Sequence, residues 1–111
     1  MKTTKFSFGD IVLVSFPFSD ATSFKRRPCL ILKEHEQDAL VVFISSQLNQ
    51  KSQHDFILRM DNTNNLAVDS LVKIWKINVL HKSLIFKKIG FLGKEDRVAL
   101  KSKLINFFTN I

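Results

Sequence analysis

The residues of this chain best suited to chemistry lie in Ser23-Phe-Lys-Arg-Arg-Pro-Cys-Leu-Ile-Leu32 and in Ile44-Ser-Ser-Gln47. Lys25, Arg26 and Arg27 stand side by side before a proline and an apolar run. Adjacent cations repel one another and add nothing to a core, so the cluster suits an anion. A guanidinium presents a planar fork that matches two phosphate oxygens and stays charged at any working pH. It can stabilise the extra negative charge of a pentacoordinate phosphoryl transition state. A neighbouring hydroxyl can orient the phosphate or donate to the leaving oxygen. With RNA the 2′-OH is itself the nucleophile, and no metal is required in principle.

The elements that must position these groups follow from periodicity and turn signals. Gly9-Asp10 launches a predicted strand through Ile11-Val-Leu-Val-Ser-Phe16, stopped by Pro17. A polar loop, Ser19 to Arg26, is flanked and interrupted by Phe18 and Phe24. Further strands are predicted over 28–33, 39–45 and 55–59 and over Ser70-Leu-Val-Lys-Ile-Trp-Lys-Ile77, with a weaker one over 85–91. The short polar segment His35-Glu-Gln-Asp38 suits a hairpin turn. From Lys94 to Ile111 the apolar residues Leu100, Leu104, Phe107, Phe108 and Ile111 take the spacing of one helical face. Glu95 and Asp96 sit in its first turn, where the helix dipole favours acids. Short strands at regular spacing with one terminal helix imply a mainly β fold, a small β-barrel with a C-terminal helix, as one domain over residues 1–111.

Arg27 and Ser45 are symmetric about Glu36, inside the expected turn, so antiparallel pairing sets them side by side. The cationic cluster then shares one rim with Ser45, Ser46 and Gln47, next to the loop bearing Phe18 and Phe24. Two exposed aromatics beside a guanidinium and hydroxyls suit stacked bases and their phosphates. Spacing alone leaves open a solvated surface Arg, and Ser45 and Ser46 as ordinary loop hydroxyls.

Composition narrows the partners. The 111 residues carry 17 Lys and Arg against 10 Asp and Glu, a formal net charge of +7, which favours an anionic partner. Cys29 is the only cysteine, so no internal disulfide can form; it reads as a small core residue in Pro28-Cys-Leu-Ile-Leu32. His35, His54 and His81 lack metal-ligand spacing. His54 beside Asp55 reads as a solvated loop residue before an acid or base, and Trp75 as core or interface packing. No apolar stretch is long enough to span a bilayer and no leader pattern opens the chain, so a cytoplasmic location is expected.

Five blocks, in order and spacing, resemble the MazF/PemK toxins. They are Phe8-Gly-Asp-Ile-Val-Leu-Val-Ser-Phe-Pro-Phe18, Lys25-Arg-Arg-Pro-Cys-Leu-Ile-Leu32, Ile44-Ser-Ser-Gln47, Asp69-Ser-Leu-Val-Lys73 and Lys76-Ile-Asn-Val-Leu-His-Lys-Ser-Leu-Ile85. The resemblance implies an SH3-like barrel of the MazF/CcdB-like toxin fold, usually a homodimer, paired with an acidic antitoxin. It implies a metal-independent, sequence-specific endoribonuclease that cuts single-stranded RNA, mRNA above all, leaving 2′,3′-cyclic phosphate and 5′-OH ends. The family's catalytic Arg falls on Arg27 and its catalytic Thr on Ser45. Phe18, Phe24, Lys25, Arg26, Ser46, Gln47, Lys76 and Asn78 are the expected RNA-binding residues, with no cofactor. Ser45 keeps the hydroxyl of the family's Thr but lacks the methyl that restricts its rotamer. Asn78 stands where the family often has Arg. Two rivals share the barrel: a CcdB-like toxin that inhibits DNA gyrase without catalysis, and a catalytically silent barrel that only binds RNA or its antitoxin.

Overall fold

In a computed structural model of the chain, residues 5–17 and 24–111 are described. Phe18 and the tip of the loop after it therefore lie outside the described residues, as does the side chain of Phe24. Six strands form one antiparallel sheet: β1 (Asp10–Pro17), β2 (Phe24–His35), β3 (Asp38–Ser45), β4 (Asp55–Leu58), β5 (Ser70–His81) and β6 (Ile85–Phe91). Their order in the sheet is β4-β5-β3-β2-β1-β6, and a helix, α1 (Lys94–Thr109), follows. Valine, isoleucine and phenylalanine supply half of β1 and of β3, as half-buried pleated surfaces favour, while β2 has its apolar run in Cys29, Leu30, Ile31 and Leu32.

Successive residues of β1, β2 and β3 face opposite ways and build two cores. Ile11, Leu30, Val42 and Ile44 pack with Leu58, Val72, Ile74 and Leu92 beneath Leu100 and Leu104 of the helix. Val12, Val14, Cys29, Ile31, Ala39 and Val41 pack on the other face with Leu80, bordered by Phe16, Phe43 and Ile85. Cys29 is fully buried, as its place in an apolar run predicts.

Among the described residues the sheet does not close on itself by strand pairing, which is the difference from the expected barrel. Its edge strands are β4 and β6, and the loop after β4 bridges the gap instead. Thr63 accepts a hydrogen bond from the Phe91 N–H at 3.1 Å, and the Asn65 amide donates to the Ile89 carbonyl at 2.8 Å. Asn64, fully buried, holds that loop together by donating to the Arg59 carbonyl and accepting from the Asp61 and Leu66 N–H groups. The approach is so close that only Gly90 fits beneath it. A Cβ there would lie 2.6 Å from the Thr63 carbonyl oxygen and closer still to that of Asn64.

The helix departs from expectation at its end. Leu100 and Leu104 are buried and Phe107 half-buried, but Phe108 and Ile111 are exposed. At about 100° per residue, Phe108 has rotated roughly 80° from the line of Leu100, and Ile111 lies past the last helical residue, Thr109. Trp75 is likewise no core residue: it is 46% exposed, in a stretch of β5 that bulges between Lys73 and Ile77. Among the described residues no helix is long and apolar enough to cross a membrane.

Candidate nucleic-acid interface

The β2–β3 hairpin turns at Glu36 and Gln37, with His35 paired to Asp38. Glu36 takes a left-handed conformation at φ 54°. That turn is centred half a residue later than symmetry about Glu36 requires. A bulge at Leu32 takes the offset back: Lys33 pairs with Leu40, but Ile31 pairs with Val41 and Cys29 with Phe43. The pairing ends at Cys29 and Phe43; Arg27 and Ser45 each lie two residues beyond that pair, on the same face of their strands, and are not themselves paired.

On that face Lys25 and Arg27 alternate along β2, both exposed, opposite Phe16 and Val14 of β1. Phe16 and Phe43 meet edge to face at 5.5 Å and border the cations on one side and Ser45 on the other. The aromatics placed here are thus Phe16 and Phe43, which the sequence pattern did not single out; both are half-buried at inward positions. Among the described residues no carboxylate lies within ion-pair distance of Lys25, Arg26 or Arg27.

Ser45 closes β3. Its hydroxyl oxygen accepts a hydrogen bond from the Gln47 N–H at 3.1 Å, which opens the turn into a short 3₁₀ segment, Leu48–Gln50. That bond engages one lone pair and leaves the O–H proton and a second lone pair for a substrate. Ser46 and Gln47 follow, exposed, at the same rim. Cys29, two residues from Arg27, contributes no nucleophile. Burial pushes its thiol up to about 12, against a smaller opposing pull from Arg27.

The other expected contacts are not gathered here. Arg26 alternates to the opposite face, where its guanidinium carbon lies 3.7 Å from the centroid of Phe86. Asn78 is exposed opposite Val41, four residues back along β3 and so roughly 13 Å from Ser45. Lys76 sits in the β5 bulge with its ammonium 5.1 Å from its neighbour Trp75. The histidines lie apart, His35 in β2, His54 in the turn before β4 and His81 in β5. His35 lies beside Glu36, His54 meets the edge of Phe107 at 5.1 Å, and His81 bonds Ser83.

A buried ion pair braces the segment that leaves Ser45. Lys73, across from Phe43 on β5, places its ammonium 2.6 Å from Asp55 and 3.2 Å from the Gln50 carbonyl. Asp55 also accepts the Ser52 N–H at 2.8 Å, so the pair ties down both ends of the 50–52 turn. Burial disfavours the Asp55 charge, but the Lys73 ammonium and the Ser52 N–H outweigh it, and the carboxyl lies below its ordinary range. Its second oxygen, Oδ1, is buried without a partner among the described residues. The sequence carried one signal of this pair: Lys73 occupies an inward position among Leu71, Val72 and Ile74.

Comparison with known proteins bears on the fold and the family. Curated proteins offer no match. Among solved structures, the Mycobacterium tuberculosis toxin MazF-mt6 superposes with a TM-score of 0.71 over 90% of this chain and 96% of its own, at 22% identity. That identity speaks for the fold alone. The family model of the PemK-like, MazF-like toxins matches residues 7–108, nearly the whole chain and every block around Arg27 and Ser45, and the protein belongs to that family of type II toxin–antitoxin toxins.

Proposed function

We propose that this toxin is a metal-independent endoribonuclease that cuts single-stranded RNA at a short sequence motif. The observation that carries the reading is Arg27, exposed and unneutralised among the described residues, two residues beyond the last β2–β3 pair on the face that also bears Ser45, whose hydroxyl can still donate or accept. In the reaction the RNA's 2′-oxygen attacks the adjacent phosphorus and the bond to the 5′-oxygen breaks. Arg27 stabilises the charge that gathers on the phosphoryl oxygens, and Ser45 orients the phosphate or donates to the departing 5′-oxygen. The proton lost from the 2′-OH is matched by one gained at the 5′-oxygen. The products are a 2′,3′-cyclic phosphate and a 5′-OH, with no net consumption of water. Lys25, Ser46 and Gln47 hold the substrate beside this pair.

A type II toxin is one half of a pair. The acidic antitoxin that the +7 charge suits would compete with RNA for the same rim, and the cytoplasm is where both would meet mRNA. Homodimerisation fits the exposed Trp75 and Val79 on β5.

The test is cleavage of a long, defined RNA in excess EDTA, with the fragment ends mapped chemically. Cuts at a recurring motif with cyclic phosphate ends are expected. Arg27→Ala should lower kcat by about a hundred- to a thousandfold while leaving the melting curve in place, because an exposed Arg contributes little stability. Ser45→Ala should lose activity and Ser45→Thr keep it. Intact RNA, or cleavage by Arg27→Ala at the wild-type rate, would overturn the assignment; gyrase inhibition with intact RNA would mark the non-catalytic alternative.

A further inference from the structure

The register between β1 and β6 shifts at Phe86. Leu13 pairs with Lys87 and Val14 with Ile85, which leaves Phe86 without a cross-strand partner. Its ring is 52% exposed. Arg26 lies over that ring at 3.7 Å, and the Lys87 ammonium is 5.9 Å from its centroid. Among the described residues neither cation has an acid partner, whereas the next residue, Lys88, is 3.1 Å from Asp10. A guanidinium held over an aromatic face is a flat, weakly hydrated platform whose N–H edges stay available. Bases stack on such platforms whatever their identity, and the free N–H groups and a lysine take the phosphates on either side.

The platform is continuous with the candidate active site. The β2–β3 pairing ends at Cys29 and Phe43, so Lys25 and Arg26 lie beyond it with no β3 residue paired to them. A strand of RNA seated at Arg27 can pass around this free lip of β2 onto the opposite face. An acidic peptide would use the two cations but has no need of an unpaired, half-exposed ring between them.

We propose that Arg26, Phe86 and Lys87 form a second, non-catalytic RNA subsite, on the face of the sheet opposite Arg27 and Ser45, that stacks a base flanking the scissile phosphate. This rests on the ribonuclease reading for the direction of the strand, but it is tested separately. The probe is a mixed-sequence RNA methylated at every 2′-oxygen, which cannot be cut, titrated against wild type, Phe86→Leu, Phe86→Tyr and Lys87→Gln. Phe86→Leu is expected to raise Kd about tenfold, within the range for one stacked base, and Phe86→Tyr to bind like wild type. Lys87→Gln is expected to lower the slope of log Kd against log salt by about one. On cleavable RNA the loss should fall on KM and not on kcat. If Phe86→Leu unfolds early, the salt slope of Lys87→Gln decides. Equal affinity in all four proteins would overturn the subsite, and so would losses confined to a polyglutamate peptide. A wild type that binds the probe through Phe86 but cuts no RNA would sink the ribonuclease reading and leave the subsite standing.

Discussion

Replacing Lys73 by Met removes the ammonium that neutralises Asp55 and leaves a carboxylate whose side chain is fully buried. Breaking a buried pair from one side costs about 3–5 kcal/mol, because the remaining charge is uncompensated. The orphaned Oδ1 of Asp55 puts this case toward the upper end. With an m-value of about 1–3 kcal/mol/M, the urea midpoint should fall by about 2 M at neutral pH. The pH dependence should also reverse. In wild type the folded Asp55 carboxyl lies below its unfolded value of about 3.9. Its stabilisation is therefore present above that pH and lost as pH falls through the folded value. In Lys73→Met, burial without a partner raises the folded carboxyl above about 3.9. The variant should then be least impaired in acid and lose stability as pH rises toward its new folded value. Urea melts across that range, at one protein concentration, measure both curves. Adding Asp55→Leu to Lys73→Met should recover most of the loss, since an apolar pair replaces a buried ionic one at little cost. A deficit under about 1 kcal/mol, or one that does not change with pH, would refute the claim that the pair is buried and coupled.

Two further outcomes follow from close packing and burial. Gly90→Ala should cost about 1–3 kcal/mol, since the new methyl meets loop backbone that has to move; thermal melting should register a fall of about 5–20 °C, and an unchanged Tm would mean the loop does not sit on β6. Cys29 should resist alkylation in the native protein at neutral pH and react only on unfolding. Because its folded thiol is pushed up to about 12, above an unfolded value of about 8.5, stability should fall as pH rises between the two, and Cys29→Ala should remove that slope.

Hairpin symmetry is a local rule, and it made legible the register that holds at Cys29 and Phe43, the last pair before Arg27 and Ser45. Two features that no local rule contains produce that register: the later turn at Glu36 and Gln37, and the bulge at Leu32 that offsets it. The alternation that sends Arg26 away from Lys25 and Arg27 was not legible, because the sequence pattern opened the strand at Pro28 and left Arg26 in a polar loop, whereas β2 begins at Phe24. What placed Phe86 beneath Arg26 is a register shift between β1 and β6, set by contacts far apart in the chain. The helix face failed at Phe108 for a related reason: periodicity gives a direction, while the width of the surface it packs on is a tertiary fact. Asp55 and Lys73 are 18 residues apart on neighbouring strands, and only the inward position of Lys73 hinted that it needed a partner.

The loop laid across β6 bears on how the protein behaves in concentrated solution. An edge strand with free N–H and C=O groups is a template on which another molecule's edge can add, the usual start of sheet-mediated aggregation. Here Thr63 and Asn65 occupy the main-chain positions at Phe91 and Ile89 that such an intruder would use, and Gly90 is the point where the cover seats. The buried Asn64 that shapes this cover thus guards colloidal stability as well as the fold. Damage there, including slow deamidation to a buried acid, should appear first as self-association on storage, as the cover lifts from β6.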